Sequence, residues 1–232
     1  MLAEIGPAGW GPLLVQAAGM TLLVSAAAFA ASVAFGALGA WAKLSRSGAA
    51  RVAADAYTTV LRGVPDLLVI YLFYFGGSQA LTALGHALGG QGFLGLPPFL
   101  VGTLAVGLVS GAYQTEVLRG GYGAIPRGEL EAARAVGMGR WLMLRRVVAP
   151  QVLRTALPGM GNVWQQVVKE SALISVTGLV ELLRQVNVAA GSTRQPFLFY
   201  ITGAVLYLAI TALSGLVFRG AERWVGRGVR VA

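Results

Sequence analysis

ELEAARAVGMGRWLMLRRVVAP, residues Glu129–Pro150, is a basic segment rich in alanine and glycine, set in a chain otherwise short of charge. By contrast, Leu67–Thr115 carries no Asp, Glu, Lys or Arg at all. Of the 232 residues, 56% are hydrophobic and only 12% are charged, against roughly 25% charged in soluble domains. That composition points to a membrane protein. It raises the question of why one charged, small-residue segment sits just past the middle.

Working outward from that segment, stretches of about 20 apolar residues mark bilayer crossings. The sequence predicts an all-α integral membrane fold of five transmembrane helices, near 13–41, 65–84, 99–119, 157–180 and 196–218. The long uncharged block is split at GHALGGQGFLGLPP (Gly85–Pro98), a turn-forming run. The first loop then holds Lys43, Arg46 and Arg51. The third loop and its edges hold Arg119, Arg127, Arg134, Arg140, Arg145, Arg146 and Arg154. The tail holds Arg219, Arg223, Arg227 and Arg230, while only Arg184 and Arg194 fall on the opposite side. Because the basic side is cytoplasmic, the N-terminus (1–12) is expected to face outward and the tail (221–232) inward. Four crossings with a re-entrant fourth would put the tail arginines outside, against that rule.

The net charge of +9 is assigned to the membrane face, so nucleic acid is not expected as a partner. The chain has no cysteine, which excludes disulfides, thiolate metal sites and catalytic thiols. Its single histidine, His86, is read as a surface residue of the Gly-rich turn, and no metal site is expected. The opening MLAEIGPAGWGP has no Lys or Arg before its apolar run, unlike the n-region of a cleaved signal peptide. No HExxH, GxSxG or cysteine–histidine set is present, so an intramembrane enzyme is not expected. GALGA (Gly36–Ala40) and GLVSG (Gly107–Gly111) supply small residues that let helices approach closely.

Within the charged segment, Pro126 suits a helix start. Glu129 and Glu131 are then expected in the first turn, near the positive helix end. Ala132, Ala133, Ala135 and Gly137 present little bulk, Gly137–Gly139 ends the helix, and a second short helix is expected to stop near Pro150. Such a helix–turn–helix on the membrane face serves either as a docking knob for another protein or as an interfacial anchor.

EAARAVG followed by VVAP resembles the EAA loop of ABC importer permeases. Glu131, Ala132, Ala133, Gly137, Val147 and Pro150 stand at that signature's spacing, with Ala149 where the family usually has Leu. YTTVLRGVPDLLVIYLFYFG (Tyr57–Gly76), GAYQTEVLRGGYGAIPRGELEAA (Gly111–Ala133) and LPGMGNVWQQVVKESALISVTGL (Leu157–Leu179) resemble the polar amino-acid uptake permeases. Among these, the Q-type subunits of the histidine/lysine/arginine/ornithine permeases and their opine relatives are the most similar. The resemblance implies a type I transmembrane domain over 13–220 with its coupling loop at 126–150. It also implies a second permease subunit (a paralogue, or alternatively a second copy), two ABC ATPase subunits and a periplasmic solute-binding protein, in the bacterial inner membrane. In that reading Glu131, Ala132, Ala133, Gly137, Met138 and Pro150 form the ATPase-coupling surface. The chain has no GxxxxGK[ST] loop, so ATP and Mg are expected on the partner ATPase and no cofactor on this chain.

Ionisable groups inside spans are costly and mark polar paths or ion pairs. The candidates are Glu170 and Lys169 in the fourth span, Glu116 at the end of the third, and Arg62 and Asp66 around Pro65, with Tyr113 nearby. Either they pair structurally, for example Arg62 with Glu116 or Lys169 with a carboxylate, or Glu170 and its neighbours contact an amino-acid substrate. Lys169 and Glu170 diverge by about 100° on a helix, so separate partners are expected. A secondary carrier driven by an ion gradient, with Lys169, Glu170 and Glu116 as a relay, is the alternative. It calls for an internal hydropathy repeat, which the sequence lacks.

Overall fold

The computed structural model describes residues 9–226. Residues 1–8 of the N-terminal segment, and Arg227 and Arg230 of the tail, lie outside the described residues. Among the described residues all regular structure is helical. Three helical stretches are long and apolar enough to cross a membrane: Gly11–Leu44, Asp66–Ala87 and Pro196–Val225.

Helix α1 (Gly11–Leu44) begins with Pro12 in its first turn and carries no carboxylate there; Lys43 sits in its last turn, at the negative helix end. Extended Ser45 ends it, and the Ser47 side chain caps α2 (Gly48–Gly63) by accepting from the Ala50 N–H at 3.4 Å. The expected first loop is therefore largely a helix. Its polar outer face hid this in the sequence, because only Ala54 and Thr58 are fully buried. Tyr57, midway along α2, donates its hydroxyl to the Leu108 carbonyl at 2.7 Å, and burial pushes the phenol up to about 12, so it remains a donor at ordinary pH.

Pro65 stops α2 as expected, since the residue before a proline is driven out of the helical region: Val64 is extended. Asp66 then opens α3 (Asp66–Tyr71), which runs through a π-helical segment, Leu72–Gly76, into α4 (Gly77–Ala87). His86 lies in the last turn of α4 rather than in the following loop, and its ring nitrogen meets the Gly92 carbonyl at 3.0 Å. The loop folds back on α4 through Leu94 N–H to the Thr82 hydroxyl (3.0 Å) and Leu96 N–H to the Ser78 hydroxyl (3.2 Å).

Helix α5 (Pro98–Gly123) is the centre of the bundle, buried on nearly every side between Val101 and Thr115. It packs along α1, and each small-residue run noted in the sequence receives a different stretch of the partner helix: Gly36 and Gly39 meet Gln114 and Thr115, and Gly107 and Gly111 meet Ala31 and Phe35. A Cβ at Gly36 would stand 2.6 Å from that of Gln114, and one at Gly107 would stand 2.7 Å from that of Ala31. Such contact requires glycine at both points. Buried hydroxyls along the seam return to their own helices: Ser32 donates to the Phe29 carbonyl and Thr115 to that of Gly111.

After α6 (Arg127–Ala135) the chain is helical from Arg140 to Thr177: α7 (Arg140–Met143), a π-helical segment Leu144–Val148, α8 (Ala149–Glu170) and a 3-10 stretch Ser171–Thr177. Two expectations fail here. Helix α7 does not stop near Pro150; Pro150 lies in the first turn of α8, and the π-helical turn before it accommodates the missing N–H and the ring. Nor is the fourth span continuous to residue 180. Gly178 turns left-handed at φ +90°, and α9 (Leu182–Thr193) leaves at 55° to the preceding helix. Helix α10 (Pro196–Val225) closes the bundle, with Phe199 and Ile210 facing Leu14, Val168 and Val186 in one core.

Candidate functional site

Two regions collect the chemistry. The first is the segment around α6. Pro126 occupies the position before the helix, at φ −59° and ψ 131°. The helix thus starts at Arg127, and Glu129 but not Glu131 lies in its first turn. Glu129 accepts from the Gln151 amide, tying α6 to the start of α8. Leu130 turns inward onto Ile125 and Val148, and Ala133 is buried as well. Glu131, Ala132 and Gly137 are exposed, Met138 is half-buried and Pro150 is exposed. Of the six residues named from the sequence, Ala133 is therefore the one packed against the chain's own bundle.

Gly137 holds φ +79°. Its N–H reaches the Arg134 carbonyl at 2.9 Å, and the Met138 N–H reaches the Ala133 carbonyl at 3.0 Å. This is the paired closure that ends helices on a left-handed glycine. A Cβ there would meet nothing within 4 Å, so glycine is needed for backbone conformation rather than for space.

The second region lies inside the bundle. Arg62, Tyr113, Glu116 and Gln166 line a cleft of about 300 Å³ between the end of α2, α5 and α8. The Arg62 guanidinium stands over the Tyr113 ring, 5.2 Å from its centroid. The suggested Arg62–Glu116 pair is absent. Instead Glu116 binds Lys43 at 2.7 Å and Arg119 at 2.8 Å, and Lys43 also binds Asp55 at 2.8 Å. That network ties α1, α2 and α5 together and leaves Arg62 with no carboxylate among the described residues. Lys43 is closer along the helix lattice than sequence spacing suggests, because α1 and α5 touch over their whole shared length.

Gln166 leads from the cleft to Glu170, donating to it at 2.6 Å, while Ser110 of α5 donates at 2.9 Å. The half-buried Asp66 carboxyl at the start of α3 lies near the same group. Glu170 is 6% exposed, so a buried acid of α8 and a half-buried acid of α3 lie near one another without a cation beside them among the described residues. Lys169 points away and is exposed; it forms no ion pair among the described residues, and the two neighbours do have separate surroundings. Tyr71 at the end of α3 and Phe73 on the π-helical segment are exposed, whereas Tyr74 packs edge-on to Phe75 at 5.1 Å.

Sequence reasoning missed Glu181. It is fully buried and caps α9 by accepting from the N–H groups of Leu183 (2.9 Å) and Arg184 (2.7 Å). Tyr207 of α10 donates to it at 2.9 Å and Thr21 of α1 at 3.4 Å, and the Thr21 oxygen accepts the Leu182 N–H at 3.0 Å. The available signal was a lone acid directly before an apolar run, at the positive end of the coming helix.

Comparison with known proteins agrees with this architecture. Residues 32–231 match the family described as binding-protein-dependent transport system inner membrane component. The octopine transport system permease protein OccQ of Rhizobium meliloti is 58% identical, over 99% of this chain and 97% of that protein. The nopaline transport system permease protein NocQ of Agrobacterium fabrum is 49% identical, over 99% and 98%. The histidine/lysine/arginine/ornithine transport system permease protein HisQ of Escherichia coli is 37% identical, over 97% and 98%. A crystal structure of an amino acid ABC transporter superposes with a TM-score of 0.76 at 31% identity, covering 92% of this chain and 94% of that one. Over nearly its whole length, then, the chain has both the sequence and the helical arrangement of these permeases, and it belongs to the family of inner membrane components of binding-protein-dependent transport systems.

Proposed function

We propose that this permease subunit of an ABC importer passes basic amino acids or opines through a path beside Glu170, driven by an ATPase that grips α6. The observation that carries the proposal is the cleft. Arg62 supplies a guanidinium suited to a substrate carboxylate, and the Glu170–Asp66 pair supplies an anionic place for an ammonium or guanidinium group. An amino acid carries both charges, and an opine carries additional carboxylate and amine groups on the same frame. The 58% identity to an octopine permease protein, against 37% to HisQ, favours the opine class.

In this reading the chain crosses the inner membrane five times. Helix α5 is the third crossing, long enough at 26 residues to span about 39 Å. The N-terminus faces the periplasm and the tail the cytoplasm. Two ATPase subunits bind ATP and Mg, a second permease subunit completes the path, and a periplasmic protein delivers the ligand. Glu131, Ala132 and Gly137 meet the ATPase; Ala133 and Leu130 hold α6 to the bundle so that motion of α6 reaches α8. No observation favours an ion-driven carrier: Glu116 is committed to Lys43, and Lys169 stands apart from Glu170.

The test uses the complete transporter in proteoliposomes. Glu131→Arg is expected to lower ligand-stimulated ATP hydrolysis about tenfold or more with ligand binding to the periplasmic protein unchanged, and unaltered stimulation would refute the coupling role. Glu170→Gln, isosteric and still bonded to Ser110 and Gln166, is expected to raise the KM for transport of a cationic substrate with the protein still folded. An unchanged KM would remove Glu170 from the path.

A further inference from the structure

The outward face of α10 is an apolar stripe: Phe197, Ile201, Val205, Leu208, Leu213, Leu216 and Val217 are all between 48% and 78% exposed. The stripe ends abruptly in Arg219, Arg223 and Trp224, the last 70% exposed. Helix α8 runs antiparallel alongside. Gly161 faces Phe218, and about two turns further along the Arg154 Nε donates to the Val225 carbonyl at 3.0 Å. That bond places a third exposed arginine at the C-terminal end of α10, beside exposed Leu153. Arg154, Arg219 and Arg223 form no ion pair among the described residues. The one carboxylate at the end of α10, Glu222, is half-buried; it stands about 60° round the helix from Arg219 and about 100° from Arg223, and forms an ion pair with neither.

Three uncompensated guanidinium groups at the rim of a lipid-facing stripe, with an indole at the boundary, match a phosphate whose acyl chains lie along that stripe. We propose that Arg154, Arg219 and Arg223 hold the headgroup of an anionic phospholipid of the cytoplasmic leaflet in the α8–α10 corner. This rests on the orientation given above, with the tail inside. The lipid clamps the start of α8 to the end of α10. Since α7 and α8 are one continuous helical stretch, that clamp bears on the lever leading from α6 into the bundle. An alternative occupant, the ATPase itself, is separated by the test.

The complete transporter is placed in nanodiscs of phosphatidylcholine with or without phosphatidylglycerol. Retained lipid is counted by native mass spectrometry, and ligand-stimulated ATP hydrolysis is measured in parallel. Wild type is expected to retain phosphatidylglycerol and to gain several-fold in stimulated hydrolysis. The triple variant Arg154→Gln, Arg219→Gln, Arg223→Gln is expected to lose roughly tenfold or more in retention and to lose the gain, while still copurifying with the ATPase. The corresponding triple lysine variant, which keeps the charge, is expected to restore retention and so excludes a folding defect. Equal retention by wild type and the glutamine variant would overturn the proposal, as would loss of ATPase copurification in that variant. The chain has no native cysteine, so Arg223→Cys gives a single label site. Labelling from the periplasmic side would overturn the orientation, and unchanged retention with cytoplasmic labelling would overturn the lipid site alone.

Discussion

The α1–α5 seam and the α8–α9 break solve the same problem in opposite ways. Along the seam, glycines at 36, 39, 107 and 111 remove side chains so that two straight helices touch, and small hydroxyls close onto their own backbones. At the break the helix narrows to a 3-10 stretch, turns on Gly178 and restarts at Glu181, and polar side chains from three other helices bind the ends. Dispersion at close range holds the first; a hydrogen-bonded carboxylate holds the second. The seam has one good arrangement, because any shift brings backbone against backbone. The break is held by a few directional bonds and a glycine pivot, so alternative arrangements cost less there. Both acids of the candidate path, and the helix leading from α6, attach to the second region or face it.

The largest expected effect comes from removing the carboxylate at the break. Glu181→Ala strands two helix N–H groups and the Tyr207 hydroxyl in the interior, at about 1–3 kcal/mol each, and thermal unfolding in detergent should show a loss of several degrees or no folded protein at all. A wild-type melting curve would mean that water or another group replaces the carboxylate. Next, Gly107→Leu must force α1 off α5, at about 1–3 kcal/mol or more. Gly19→Leu on the same α1, where a Cβ meets nothing within 4 Å, should melt within about 0.5 kcal/mol of wild type. Equal effects would show that the seam is not close-packed. A smaller effect than at the seam is expected of Gly178→Ala. The site has room but a left-handed backbone, so the cost is about 1 kcal/mol. If the break is the pivot, transport rate should fall more than stability does; parallel losses would reduce Gly178 to a structural turn.

The parts of the molecule readable from its sequence are those with local causes. Pro65 and Pro126 mark helix ends because φ and the missing N–H act at one residue. Gly137 ends α6 for an equally local reason, and apolar length marks α1, the α3–α4 stretch and α10. The small-residue runs foretold close contact without saying what each would meet: Gln114 and Thr115 for the first, Ala31 and Phe35 for the second. What was not readable depends on neighbours distant in sequence. Helix α2 looked like a charged loop because only Ala54 and Thr58 are fully buried. Glu116 was offered Arg62 as partner, but Lys43 arrives from the far end of α1. The break after Glu170 has no proline to announce it, and Glu181 becomes a site only when Thr21 and Tyr207 converge on it. Of the residues proposed for coupling, Ala133 alone is buried, a distinction that needs the starting phase of α6 at Arg127.

The most direct measurement is ligand accumulation in vesicles of fixed composition. This chain with its partner permease, ATPase and binding protein should concentrate the ligand only when ATP is supplied on the α6 side, and dissipating the ion gradients should leave accumulation intact. Accumulation by this chain without any ATPase, sustained by an ion gradient alone, would contradict the assignment of α6 as the handle through which the bundle is driven.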